Sequence, residues 1–94
     1  MHFLLIYEVV DEYVTKRTPH RAEHLALAQA ATAQGDLLLG GALVEPVDGA
    51  ILLFRTQQAA EAFAANDPYI HHGLITKWSV RMWNTVAGRL LNSQ

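Results

Sequence analysis

With no cysteine among its 94 residues, any side-chain chemistry in this chain must rest on histidine and carboxylate groups. The densest cluster of such groups is Arg17-Thr-Pro-His20-Arg21-Ala-Glu23-His24. Histidine changes charge near neutral pH, and one oriented by a carboxylate is a general acid–base unit. Arg17 and Arg21, one helical turn apart, suit a carboxylate or another anionic oxygen. A solvated basic corner is the plainer reading of the same pair. His20-Arg-Ala-Glu23-His24 also spells the H-x-x-E-H pattern of some zinc proteases. Those sites need a larger cleft and a distant third ligand, which a chain this short hardly provides. His71-His72 reads as a polar connector, with opportunistic metal binding as its alternative. Gly40-Gly41 is not followed by the lysine and helix of a phosphate loop. Trp78 and Trp83, five apart, fall on opposite faces of a strand and make no stacking platform. No motif calls for a nucleotide, flavin or metal cofactor.

The elements that must position these groups can be read from apolar patterning. Phe3–Tyr7, with Val9 and Val10, reads as a first strand that is apolar on both faces. Asp11–Thr18 is polar and reads as a loop. Thr18-Pro19 looks like the start of a helix, with Thr18 as N-cap and a body over His20–Gln34 closed by Gly35. Leu37–Leu39 and Ala42–Val44 form a second strand, with Gly40-Gly41 as a bulge or a place of close backbone approach. Pro46-Val-Asp48-Gly49 reads as an Asp-Gly hairpin turn leading to a third strand, Ala50–Arg55. Thr56 caps a second helix, Gln57–Ala65, whose stripe is Ala59, Ala60, Phe63 and Ala64. Asn66-Asp67-Pro68 ends it, because a residue before proline is pushed out of the helical region. Tyr69–Leu74 is a connector with room for a helical turn. Ile75–Trp83 is a fourth strand, alternating Trp78, Val80, Met82 with Lys77, Ser79, Arg81.

The order β-α-β-β-α-β is that of a ferredoxin-like α+β fold, with antiparallel sheet order 4-1-3-2. The whole chain is expected to be one domain, with a core over residues 2–87 and an unassigned tail over 84–94. Two helices cover only one face of such a sheet, yet the first and third strands are apolar on both. The simplest cover for the second face is another copy of the chain, giving a homodimer packed sheet to sheet.

Composition limits the partners. Apolar residues make up 51% and charged residues 17%, unlike a disordered chain. A formal charge of −2 argues against a nucleic-acid footprint. The longest apolar run, Leu37–Val44, is far short of a membrane span. The first residues lack the basic flank and cleavage site of a signal peptide. A soluble cytoplasmic domain without a membrane partner is the expectation.

The topology decides which groups meet. The start of the first helix, the turn between the second and third strands, and the end of the second helix all lie at one end of the domain. That end gathers Arg17, His20, Arg21 and His24 with Glu45, Asp48, Asp67 and Tyr69. His24 and Asp67 form a plausible acid–base pair there. The plainer alternatives are an Asp67 that only bonds nearby turn amides and a His24 that pairs with His20 or Glu23 along its helix.

Lys16-Arg17-Thr-Pro-His-Arg21-Ala-Glu-His24-Leu25, Leu39-Gly-Gly-Ala-Leu43, Asp67-Pro-Tyr69-Ile70 and Trp78-Ser-Val-Arg81-Met-Trp83 together resemble YciI-like (YCII-related) proteins. The resemblance spans residues 2–87. It implies a dimeric α+β barrel and an acid–base site at His24 and Asp67, with Arg21 and Tyr69 as substrate-binding residues. The residues and the resemblance together give the expectation of a cofactor-free enzyme acting on a small oxygenated or anionic molecule, by isomerisation, hydrolysis or an elimination like that of a dehydrochlorinase among the similar proteins. A small-ligand-binding or accessory dimeric module is the alternative.

Overall fold

The computed structural model describes residues 1–91; the last three residues of the expected tail lie outside it. The elements are β1 (His2–Val9), α1 (Tyr13–Lys16), a 3-10 turn (Thr18–His20), α2 (Arg21–Ala33), β2 (Leu37–Leu43), β3 (Gly49–Phe54), α3 (Gln57–Asn66), α4 (Pro68–His71) and β4 (Ile75–Trp83). The strands form one antiparallel sheet in the order β2-β3-β1-β4, the expected 4-1-3-2 read from the other edge. Among the described residues, no helix is long and apolar enough to cross a membrane.

Strand register sorts the side chains into two faces. Leu5 pairs with Leu52 and Val80, and Tyr7 with Ala50 and Trp78, so these residues share the face covered by the helices. The core forms there, from Leu5, Tyr7, Leu37, Leu52 and Phe54 against Ala60, Phe63 and Ala64 of α3. Leu4, Ile6, Ile51 and Leu53 share the other face and are half-buried, with Leu39 and Leu43 exposed beside them. Trp83 pairs with His2 and lies on that open face, opposite to Trp78, as their spacing implies. Over residues 84–91 the tail is irregular, and it is tied back to β1 where His2 Nδ1 meets Thr85 Oγ1 at 2.7 Å.

Three local expectations are corrected. Asp11–Thr18 is not a simple loop: it holds α1, whose Tyr13 is buried edge-on against Tyr69 with ring centroids 5.8 Å apart. Burying that ring folds the segment into a turn of helix. Thr18 accordingly does not cap the long helix, since its hydroxyl donates to the Val14 carbonyl and the helix proper starts at Arg21. The Asp-Gly turn is also displaced: Leu43 pairs with Gly49, leaving Val44–Asp48 as the connection. Gly49 is required inside the strand because a Cβ there would lie 2.9 Å from the Tyr7 carbonyl oxygen. It makes room for β1, not for a turn.

Two other signals act as read. Thr56 Oγ1 accepts from the Ala59 N–H at 3.1 Å and starts α3. Gly35 takes the left-handed φ of 81° that ends α2. The bulge expected at Gly40-Gly41 is not there: both glycines pair in register with Leu52 and Ile51, and the irregularity in β2 lies earlier, between Leu37 and Leu39.

Candidate functional site

Asp67 is held at a break between helices. Pro68 excludes the helical region at Asp67, whose extended ψ of 119° makes it both the C-cap of α3 and the N-cap of α4. Its Oδ1 accepts the Tyr69 N–H at 3.0 Å, so the turn-forming role foreseen for an aspartate before proline is present. The side chain does more than that. Oδ1 also lies 2.8 Å from His24 Nδ1, and Oδ2 accepts the Tyr7 hydroxyl at 2.7 Å. Asp67 is fully buried, and every buried polar side-chain atom among the described residues has a partner.

These contacts orient His24. Burial, reinforced by Asp67, pushes the Tyr7 hydroxyl far above the ordinary tyrosine range, so it stays a donor. A carboxylate already accepting from Tyr7 and from a backbone amide is an acceptor towards His24 as well. Nδ1 therefore carries a proton, and in the neutral ring Nε2 carries the lone pair. Nε2 makes no hydrogen bond among the described residues. The ring plane is set by stacking on Tyr69, with centroids 3.8 Å apart and planes 4° from parallel, and by an edge contact with Phe63.

Outside this pair lies a cleft of about 440 Å³ between α2 and β2, bordered by His24, Tyr7, Tyr13, Arg17 and Arg21. Arg21 Nη1 donates to the Tyr69 hydroxyl at 3.3 Å, and the Arg17 guanidinium stands 5.2 Å over the Tyr13 ring. Tyr69, expected to touch a ligand, is fully buried and does not border the cleft; its ring is the shelf under His24. His20 turns away from His24 and stacks on His72, with ring centroids 3.9 Å apart, so the H-x-x-E-H pattern brings no second histidine to Asp67. His71 bonds the Ala65 carbonyl. Glu45 and Asp48 remain exposed in the β2–β3 connection and form no ion pair among the described residues.

Tyr7 is the site residue that strand patterning did not single out. Its signal was a hydroxyl in the middle of an otherwise apolar central strand, where burial demands a hydrogen-bond partner. Its raised pKa has a stability consequence. The unfolded chain loses the tyrosine proton near pH 10 while the folded chain keeps it. This contribution to stability is complete below that pH and is lost as pH rises further. Tyr7→Phe should flatten the alkaline fall in unfolding free energy by up to about 1.4 kcal/mol per pH unit. Urea titrations between neutrality and strong alkali test this, and identical slopes in both proteins would refute it.

The sheet order, the helices on one face and the junction that presents Asp67 to His24 define a ferredoxin-like α+β protein with a His–Asp pair beside a cleft. Residues 1–84 match the YCII-related domain, and the chain belongs to that family. The fold is similar to that of 5-chloro-2-hydroxyhydroquinone dehydrochlorinase from Burkholderia phenoliruptrix AC1100, solved in complex with 2,5-dihydroxybenzoquinone. The TM-score is 0.71 at 22% identity, over 88% of this chain and 93% of that one. No curated protein matches the chain in sequence.

Proposed function

We propose that this protein is a small acid–base enzyme in which His24 Nε2 moves a proton on a small oxygenated or anionic substrate bound in the α2–β2 cleft. The observation that carries this reading is the 2.8 Å contact between His24 Nδ1 and the fully buried Asp67, which leaves Nε2 unpaired on a residue bordering the cleft. With the ring neutral, Nε2 is the base. Once it takes the proton, the imidazolium is stabilised by the Asp67 carboxylate it already touches. Arg21, and Arg17 beside it, would hold substrate oxygens and meet negative charge that develops during the reaction. Isomerisation, elimination and hydrolysis share such a proton transfer and differ in which bonds break and form after it. Elimination gains support from the dehydrochlorinase of similar fold, since loss of HCl needs a base for the proton. A metabolite screen against the purified chain, with each bound compound then followed for conversion, tests the reading. Ligands that bind and are never converted would reduce the cleft to a binding site.

We infer also that two copies pack through their open sheet faces. Leu4, Ile6, Ile51 and Leu53 lie side by side there with no helix above them, while Leu39 is 66% exposed and Trp83 49%. An apolar face of this kind on a small soluble domain marks a protein interface. Light scattering should give twice the chain mass, and Ile51→Lys should return it to the single-chain value. A concentration-independent monomer of the unaltered protein would overturn the pairing.

A further inference from the structure

The cleft beside His24 is chemically lopsided. Its cationic end holds Arg17 and Arg21, and neither pairs with a carboxylate: the ion pairs among the described residues are His24–Asp67, Arg55–Asp36 and Lys77–Glu8. A guanidinium carries five N–H donors, and Arg21 commits one of them to the Tyr69 hydroxyl. Two arginines against the one Asp67 carboxylate leave this end net positive, so it suits an anionic head group. A planar guanidinium fork matches a carboxylate through paired N–H···O bonds.

Away from the arginines the cleft is lined mostly by apolar residues, with Gln29 and Thr32 as the polar exceptions. It follows α2 as far as Thr32, roughly 12 Å beyond His24 at the helical rise of about 1.5 Å per residue. Where α3 covers the sheet, the facing residues are large: Leu5, Leu52 and Phe54. Below α2 the cleft floor includes the small residues Gly40, Ala42 and Ala50, beside Leu37 and Leu52, with Ala28 across from them on the helix. α2 has no fully buried residue along its length, although Leu27, Ala28 and Ala31 pack against the core. Gly40 pairs with Leu52 and so faces the helices; a Cβ there would lie 3.3 Å from Leu52 Cγ. Any side chain at this position would take up cleft volume.

We propose that the ligand of this cleft is a head-and-tail monocarboxylic acid. Its carboxylate is held by Arg17 and Arg21 next to His24, its apolar tail lies along Gly40 and Ala42, and Gly40 sets the tail size accepted. The proposal deepens the acid–base reading and rests on it for the reaction, but not for binding.

Calorimetric titration of the full chain with butanoate, hexanoate, octanoate and uncharged hexanamide tests it. Affinity should rise about fourfold for each methylene buried from butanoate to octanoate. Hexanamide should bind at least about tenfold more weakly than hexanoate, the loss expected for one charged hydrogen-bonded contact. Arg17→Gln and Arg21→Gln should each shrink the advantage of acid over amide. Gly40→Val should weaken octanoate while sparing butanoate, and Ala42→Leu offers the same test away from the Leu52 contact. Equal binding of acid and amide, or of butanoate and octanoate, would overturn the proposal, as would no binding at all. Acids that bind wild type and His24→Ala alike, with no compound ever converted, would uphold the ligand class and reject the acid–base reading. Conversion of a compound from the metabolite screen, with no carboxylate bound, would do the reverse.

Discussion

A His24→Ala protein should keep its fold and lose turnover by about 10²–10⁴-fold, the usual share of one positioned acid–base group. Its affinity for the same substrate should stay within about tenfold of wild type, because binding is assigned to other side chains. Folding should survive because His24 lies on a helix with no fully buried residue, and because Asp67 Oδ1 still accepts the Tyr69 N–H once the imidazole is gone. The space vacated over the Tyr69 ring is open to the cleft, so added imidazole should restore part of the rate. Asp67→Asn acts in the same direction and less severely. Its amide oxygen still accepts from Nδ1, but the imidazolium formed in the reaction loses its counter-charge. Steady-state kinetics on any converted compound decide the matter. Unchanged kcat in His24→Ala would remove His24 from the chemistry.

The fold was legible in the sequence because its strongest signals are local or periodic. Thr56, Gly35 and Asp67-Pro68 each act within a few residues of themselves, and two-faced apolar strands mark the sheet centre wherever they occur. The β-α-β-β-α-β order then placed His24 and Asp67 at one end of the domain without any contact being visible. What sequence could not show depends on pairings across the sheet and between distant segments. Gly49 looked like a turn residue because its reason for being glycine, the Tyr7 carbonyl, is 42 residues away in the chain and adjacent only in the ladder. Tyr13 sits in a polar stretch and is buried only because Tyr69 presents a ring to it. Tyr69 was placed against substrate because it follows Asp-Pro, but the same proline-directed bend turns it inward, under His24.

The Asp67 junction also holds the domain together, so Asp67→Ala should cost more stability than Asp67→Asn. Asp67 is the point where β1, α2 and α4 meet: Tyr7, His24 and the Tyr69 amide all bond to one carboxylate. Alanine leaves the Tyr7 hydroxyl and the Tyr69 N–H as buried donors without partners, at about 1–3 kcal/mol each. His24, with its side chain 13% exposed, can recover a water. The sum, roughly 2–6 kcal/mol, compares with a total stability of about 5–15 kcal/mol for a typical domain. Asparagine keeps an oxygen for the Tyr69 amide and its N–H can reach the Tyr7 oxygen, so only the Tyr7 O–H loses its acceptor and the cost should be about 1–3 kcal/mol. Chemical denaturation of the three proteins at neutral pH should therefore rank wild type above Asp67→Asn and Asp67→Asn above Asp67→Ala. The alanine effect should also shrink in a Tyr7→Phe background, since one orphaned donor is then absent. If Asp67→Ala were as stable as Asp67→Asn, the carboxylate would not be the tie between strand and helices. Its burial would then matter only through the charge it presents to His24.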